Sequence, residues 1–230
     1  MPLPSRLRAD AVMPTPVRHA FYLHGFASGA ASTKARWLAA RLAPLGIALQ
    51  TPDFNLPDFA TLTVTRMIAD VERATAPLQG PVALFGSSLG ALVAYHAAAR
   101  SRAIDRLVLL APALDIAPSL RRGLGGTKVD EWRRDGSLEV FHYGYSQPRR
   151  VNYALFEDCE RYDPFTAPLD IPILIFQGRR DEAVSPEMVQ RFAATRPNVT
   201  LHMLDDDHQL VASLPCIWEH SARFLGLERP

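Results

Sequence analysis

A serine, an aspartate and a histidine occur in that chain order, each just past the end of an apolar run. Together such groups carry out nucleophilic acyl transfer: a hydroxyl attacks, an imidazole takes its proton, and a carboxylate holds the imidazole. The serine is Ser88, in Gly86-Ser87-Ser88-Leu89-Gly90, behind Val82-Ala83-Leu84-Phe85 and ahead of the helix-forming stretch Ala91–Ala99. A strand that reverses into a helix over one or two residues forces its central residue into a strained conformation. Glycines two positions before and after remove the side chains that would collide there. Ser88 is thereby pushed clear of the sheet, at the positive end of the helix dipole. By chance alone G-x-S-x-G is a weak signal; its strand-and-helix context makes it a nucleophile elbow.

The partners are sought downstream. Ile171–Gly178 is an apolar strand ending at a glycine, and Asp181 follows it, where a side chain can point into the crevice at the C-terminal edge of a parallel sheet. Asp is also an ordinary turn residue after strands, and Glu182 is the neighbouring alternative. The next strand, Val199–Leu204, runs into Asp205-Asp206-Asp207-His208. The gap from Asp181 to His208 accommodates one helix and one strand, so the two sit on successive loops at one sheet edge. Of the seven histidines, His96 falls in a helix and His202 in a strand. His19, His142 and His220 have no acid placed by an adjacent loop. His208 is the expected base.

A tetrahedral oxyanion also needs preorganised N–H donors, each contributing roughly 3 kcal/mol. Leu89, after the serine, supplies one. The loop in Phe21-Tyr22-Leu23-His24-Gly25-Phe26-Ala27-Ser28-Gly29 supplies the other through Phe26. His24 is read first as a residue that holds this loop. It is kept with Trp132 and Tyr143 among the side chains that could touch substrate.

Taken together, Tyr22-Leu23-His24-Gly25-Phe26, Ser28, Thr33-Lys34-Ala35 and Phe85-Gly86-Ser87-Ser88-Leu89-Gly90 resemble the alpha/beta-hydrolase superfamily, and within it small bacterial serine esterases. The resemblance covers about residues 18 to 228. It implies an esterase, thioesterase or related acyl hydrolase with Ser88, Asp181 and His208 as its triad. Two departures stand out: no room for the extra hairpin that many members carry before the His-Gly strand, and Ala91 where many have a second glycine. Carbon–carbon bond hydrolysis and peptidase action use the same triad, and a ligand-binding protein could keep the fold. A peptidase would usually need a larger accessory domain, and binding alone needs no triad.

Composition bounds these readings. The 230 residues, 48% hydrophobic, suffice for one α/β core. A net charge of +1 argues against a nucleic-acid partner. No apolar run approaches the roughly 20 residues of a membrane span; the resemblance implies a small-molecule ester or thioester as the partner. Cys159 and Cys216 have neither metal spacing nor a disulfide framework, which fits a cytoplasmic protein. No cofactor motif and no metal-ligand set is present. Residues 1–17, with four prolines, read as an extended arm.

The elements that must position the chemistry alternate. Strands are expected at 19–24, 47–51, 81–86, 106–111, 171–177 and 199–204. Helices are expected at 32–44, 59–76, 89–100, 186–195 and 213–225. Continuous apolar strands such as Leu107–Leu110 indicate a sheet covered on both faces. The prediction is a doubly wound, mostly parallel six-stranded α/β sheet. An insertion at about 115–168 interrupts it and mixes charge with Trp132, Phe141, Tyr143, Tyr145, Tyr153 and Phe156. Helix-compatible pieces at 120–124, 128–135 and 152–159 predict a small helical cap over Ser88, the place where substrate preference would be set.

Overall fold

Eight strands and eight helices organise residues 15–227, the part of the chain that the computed structural model describes. The strands are β1 (His19–Leu23), β2 (Leu49–Gln50), β3 (Val82–Ser87), β4 (Ile104–Leu110), β5 (Ser137–His142), β6 (Gln147–Asn152), β7 (Ile173–Gly178) and β8 (Val199–Leu204). Six of them form one parallel sheet in the order β2-β1-β3-β4-β7-β8, and β5 and β6 form a separate antiparallel hairpin. The helices are α1 (Thr33–Leu42), α2 (Val64–Thr75), α3 (Leu89–Ala98), α4 (Ile116–Leu124), α5 (Gly126–Asp135), α6 (Ala154–Cys159), α7 (Pro186–Ala194) and α8 (Leu214–Phe224). Most of the predicted N-terminal arm lies outside the described residues. Val17 is tied to the other end of the fold, its N–H donating to the Leu225 carbonyl at 3.2 Å.

The sheet divides its apolar side chains between two cores by simple alternation. Phe21, Leu23, Val82, Leu84, Leu107, Leu109, Ile173 and Ile175 face one core, shared with α2, α3, α7 and the insertion. Ala20, Tyr22, Ala83, Phe85, Val108, Leu110, Leu174 and Phe176 face the other, under α1 and α8. Two buried faces explain why the strands read as unbroken apolar runs. Helix α2 shows the matching helical period, burying Val64, Met67, Ile68, Val71 and Thr75 on one stripe.

Two elements are shorter than the spacing predicts. The strand expected at 47–51 is only β2, at the sheet edge, because Gly46 in left-handed conformation (φ 77°) turns the chain just before it. The helix expected at 59–76 begins at Val64, where the Thr63 hydroxyl accepts the Arg66 N–H at 3.2 Å and caps it. The larger difference lies in the insertion. Its helices α4, α5 and α6 are present, but between the last two stands the β5–β6 hairpin. Leu138, Val140 and His142 turn inward while Glu139 and Phe141 turn out, an alternation that favours strand over helix. The cap is therefore mixed, not helical. Asp158 fastens it to the body, accepting from the Thr65 N–H and hydroxyl, each at 2.7 Å.

Chain order fixes where a site can form. From β1 the chain winds outward to β2, then returns to β3 on the other side of β1 and proceeds outward to β4. Loops leaving the C-terminal ends of β1 and β3 therefore part in opposite directions and leave a crevice between them. Those loops carry the His24-Gly25-Phe26 segment and Ser88.

Candidate active site

Ser88 sits between β3 and α3 at φ 53°, ψ −118°, a conformation that costs a residue with a side chain about 1–3 kcal/mol. It is held there from both sides: its N–H donates to Leu110 at 3.0 Å, and its carbonyl accepts from Ala91 at 3.0 Å and Ala113 at 3.2 Å. The flanking glycines are required by space. A Cβ at Gly90 would lie 2.1 Å from the Leu23 carbonyl oxygen, and one at Gly86 would lie 2.6 Å from Ala91 Cα. Ser87 is the buried neighbour, engaged with the Tyr22 hydroxyl, whereas Ser88 is half-buried. The loop after β1 passes directly over it, since a Cβ at Gly25 would come within 3.1 Å of Ser88 Cβ. Among the described residues, neither the Phe26 nor the Leu89 N–H has a hydrogen-bond acceptor.

Asp181, after β7, and His208, after β8, meet as their spacing predicts. His208 Nδ1 lies 2.9 Å from Asp181 Oδ2. The carboxylate is fully engaged: Oδ2 also accepts from Gln177 Nε2 at 2.9 Å, and Oδ1 accepts from the Ala183 and Val184 N–H groups at 2.9 and 2.8 Å. Burial alone pushes this carboxyl's pKa up. The hydrogen bonds from His208, Val184 and Gln177 outweigh it and hold the pKa below the usual value. The Asp181 side chain is 0% exposed and that of His208 23%, so the pair is anchored in the protein and open at the imidazole end. No hydrogen bond joins the Ser88 hydroxyl to His208 among the described residues.

The histidine loop is packed against β7 so closely that a Cβ at Gly178 would lie 2.5 Å from the Asp207 carbonyl oxygen. A residue that the spacing argument did not find holds the loop from the other side. Lys34, in the first turn of α1, is only 8% exposed, and its Nζ donates to the Gln209 carbonyl at 2.9 Å. Burial lowers its pKa to about 8, against the attraction of Asp181, Asp207 and Asp206. A lysine in an amphipathic helix gives no sequence signal of burial.

The remaining expected residues are placed as follows. His24 is buried; its Nδ1 lies 2.9 Å from the Gly25 carbonyl, and its Nε2 accepts the Phe54 N–H at 3.0 Å. Both ring nitrogens thus bind backbone and shape the loop. Trp132 is 2% exposed, with its Nε1–H on the Val151 carbonyl at 3.0 Å and its ring edge-on to Tyr153 and Phe156. Tyr143 is 75% exposed at the hairpin tip, against Phe141. Between cap and body lies an apolar cavity of about 90 Å³, whose walls include Phe26, Leu89, Leu120, Leu124, Trp132 and Val140. A larger surface hollow, about 670 Å³, lies at the opposite edge of the sheet around residues 165–170 and 195–198.

A parallel sheet with this strand order, an elbow serine after β3 and loops converging at its C-terminal edge define the alpha/beta-hydrolase fold. Solved structures share it. A protein of Agrobacterium vitis S4, described as a candidate hydrolase, aligns with TM-score 0.78 at 23% identity, over 92% of this chain and 88% of that one. Alpha/beta hydrolase domain-containing protein 10 from mouse aligns with TM-score 0.75 at 22% identity, over 91% and 90%. Est1E from Butyrivibrio proteoclasticus, solved with ferulic acid bound, aligns with TM-score 0.77 at 24% identity, over 92% and 89%. No curated protein matches the chain. The profile of the Uncharacterised protein family (UPF0227) matches residues 19–222, and the chain belongs to that family.

Proposed function

We propose that this chain is a serine hydrolase that cleaves carboxylic esters, or thioesters, of small apolar acyl groups through an acyl-enzyme on Ser88. The observation that carries the reading is the strained, half-exposed Ser88 beneath the Gly25 loop, with Phe26 and Leu89 N–H groups that have no acceptor among the described residues and a bonded Asp181–His208 pair on the loops after β7 and β8. His208 Nδ1–H donates to Asp181, which leaves Nε2 with its lone pair to take the Ser88 proton. Ser88 Oγ then bonds to the substrate carbonyl carbon, and the displaced electron pair rests on an oxygen facing the Phe26 and Leu89 N–H groups. Collapse of this intermediate breaks the bond to the alcohol or thiol, which leaves with the proton from His208. Water, deprotonated by the same nitrogen, returns Ser88 and releases the acid. The esterase Est1E among the structural neighbours supports this choice of chemistry.

The cavity bounds the acyl group. At about 90 Å³ it is smaller than the roughly 150 Å³ apolar cavity that takes up benzene. A cavity of this size, walled by Leu89 and Trp132, favours short aliphatic chains over aromatic or long acyl groups. Ser88→Ala should abolish turnover of p-nitrophenyl acetate and butyrate, by about 10⁴-fold or more, while circular dichroism shows an unchanged fold. Retained activity in Ser88→Ala, lost instead in Ser87→Ala, would overturn the assignment.

A further inference from the structure

We propose that His142, on the cap hairpin, is a positioning residue that fixes the loop bearing the Phe26 N–H. The inference rests on the reading of that N–H as an oxyanion donor. The loop needs an external hold, because Ala27 lies at φ 54°, a strained conformation for a residue with a side chain. Its own strand ends at Leu23; within the loop the Ser28 N–H donates to the Gly25 carbonyl at 3.3 Å, and further contacts come from elsewhere in the chain. The hairpin tip supplies them. The Tyr143 N–H donates to the Ala27 carbonyl at 2.8 Å, with the Gly144 N–H at 3.4 Å on the same oxygen. The approach is close enough that a Cβ at Gly144 would lie 3.2 Å from the Ser28 carbonyl carbon and 3.1 Å from the His142 ring.

His142 is fully buried and links the tip to this loop through one further residue. The Tyr145 N–H donates to its Nδ1 at 3.2 Å. An N–H can only donate, so Nδ1 carries the lone pair and the proton sits on Nε2. Nε2 then donates to Asn55 Oδ1 at 3.0 Å. That bond orients the Asn55 amide, whose Nδ2 donates to the Ser28 carbonyl at 2.8 Å. A single proton arrangement satisfies the whole series from Tyr145 to Ser28. The ring is also fixed by stacking on Tyr145 (centroids 4.2 Å apart) and by an edge contact with Phe59 at 4.6 Å. None of these bonds belongs to the hairpin's own ladder. Those through Tyr143, Gly144 and Asn55 reach out of the cap to the loop whose next-door glycine, Gly25, lies on Ser88.

The test compares His142→Ala, His142→Gln and Asn55→Ala with the wild type, using p-nitrophenyl acetate turnover and amide hydrogen exchange of residues 25–28. Asn55→Ala cuts the link outside the hairpin, so a folding defect in the cap of His142→Ala does not decide the matter. We expect both alanine variants to lower kcat by about 10- to 100-fold with KM nearly unchanged, less than the roughly 10²–10³-fold loss of an outright donor deletion. Exchange at 25–28 should quicken while that of β3 stays slow. His142→Gln, which offers both an N–H donor and a carbonyl acceptor, should recover most of the rate. Unchanged exchange at 25–28 in both alanine variants, or a kcat loss that follows only the loss of folded protein, would overturn the proposal. If the loop loosens in these variants but the wild type turns over no ester, the hold on the loop stands and the esterase reading fails.

Discussion

The two sides of Ser88 are built in different ways. On the base side, Asp181 and His208 come from adjacent strand ends of the central sheet. Every hydrogen bond to the Asp181 carboxylate originates within residues 177–208. On the oxyanion side, the loop after β1 is held by residues from two further segments, Phe54 and Asn55 before α2 and His142 to Gly144 in the cap. In the proposed site the bonds to the acid are thus local to the sheet edge, although the histidine loop is also tied to Lys34 of α1. The loop of the proposed oxyanion side depends in addition on bonds from the insertion, so damage should propagate differently through the two.

The sharpest way to break this comparison is Asp181→Asn. The replacement has a single acceptor oxygen, and turning it to the Ala183 and Val184 N–H groups leaves its NH2 facing His208 Nδ1, which favours the wrong imidazole tautomer. A loss of about 10⁴-fold in kcat is expected, with KM little changed, from steady-state kinetics on an acetyl ester. A loss no larger than that of the His142 variants would mean that the two sides are of equal weight.

Trp132→Ala tests the cap as a whole. It removes a buried ring and the bond to Val151, and should destabilise by roughly 3–5 kcal/mol in thermal or urea unfolding. It also enlarges the cavity, so octanoyl esters should gain relative to acetyl and butyryl esters. Lost stability with an unchanged acyl profile would separate the ring's packing from substrate selection.

The smallest effect concerns Lys34 on the base side. Its pKa is about 8 in the folded protein against an ordinary 10.5, so between those values the unfolded chain binds more protons than the folded one. Stability should therefore gain a contribution as pH rises from about 8 towards 10.5. Lys34→Met should remove that slope from the pH dependence of the unfolding midpoint. At pH 7 it should leave the midpoint level or slightly higher, since the buried charge is costly, while kcat falls as the Gln209 carbonyl loses its donor. An unaltered slope would show that Lys34 is not the group responsible.

These differences also explain what could be seen in the sequence. The base side was legible because apolar runs locate strand ends, and strand ends in a parallel sheet share an edge. The strands followed from their apolar runs, and the pairing of Asp181 with His208 from strand ends, spacing and the elimination of the other histidines. The hairpin was not, because Phe141, Tyr143 and Tyr145 resemble the scattered aromatics of a helical cap. The alternation of Leu138, Val140 and His142 was the available signal, over too few residues to outweigh the helical pieces on either side. His142 has no acid placed by an adjacent loop, and its partner Asn55, with the Ser28 that Asn55 bonds, comes near it only through tertiary packing. Lys34 and Trp132 illustrate the same limit from opposite directions: a charge that is buried and an aromatic set among charges that nonetheless lies in the interior.

The alternation of β3 between two cores has a consequence for how such a protein can vary. Val82 and Leu84 face one core and Ala83 and Phe85 the other, and the strand, which ends at Ser87, delivers Ser88 immediately after it. Exchanging one apolar residue for another of similar bulk changes packing by a modest amount. Adding or deleting a single residue inverts every side chain of the strand at once and carries the serine to the wrong side of the turn. Along this segment, sequence drift can proceed freely by replacement and hardly at all by change of length, so the distance from Val82 to Ser88 is more tightly constrained than the identity of the apolar residues between them.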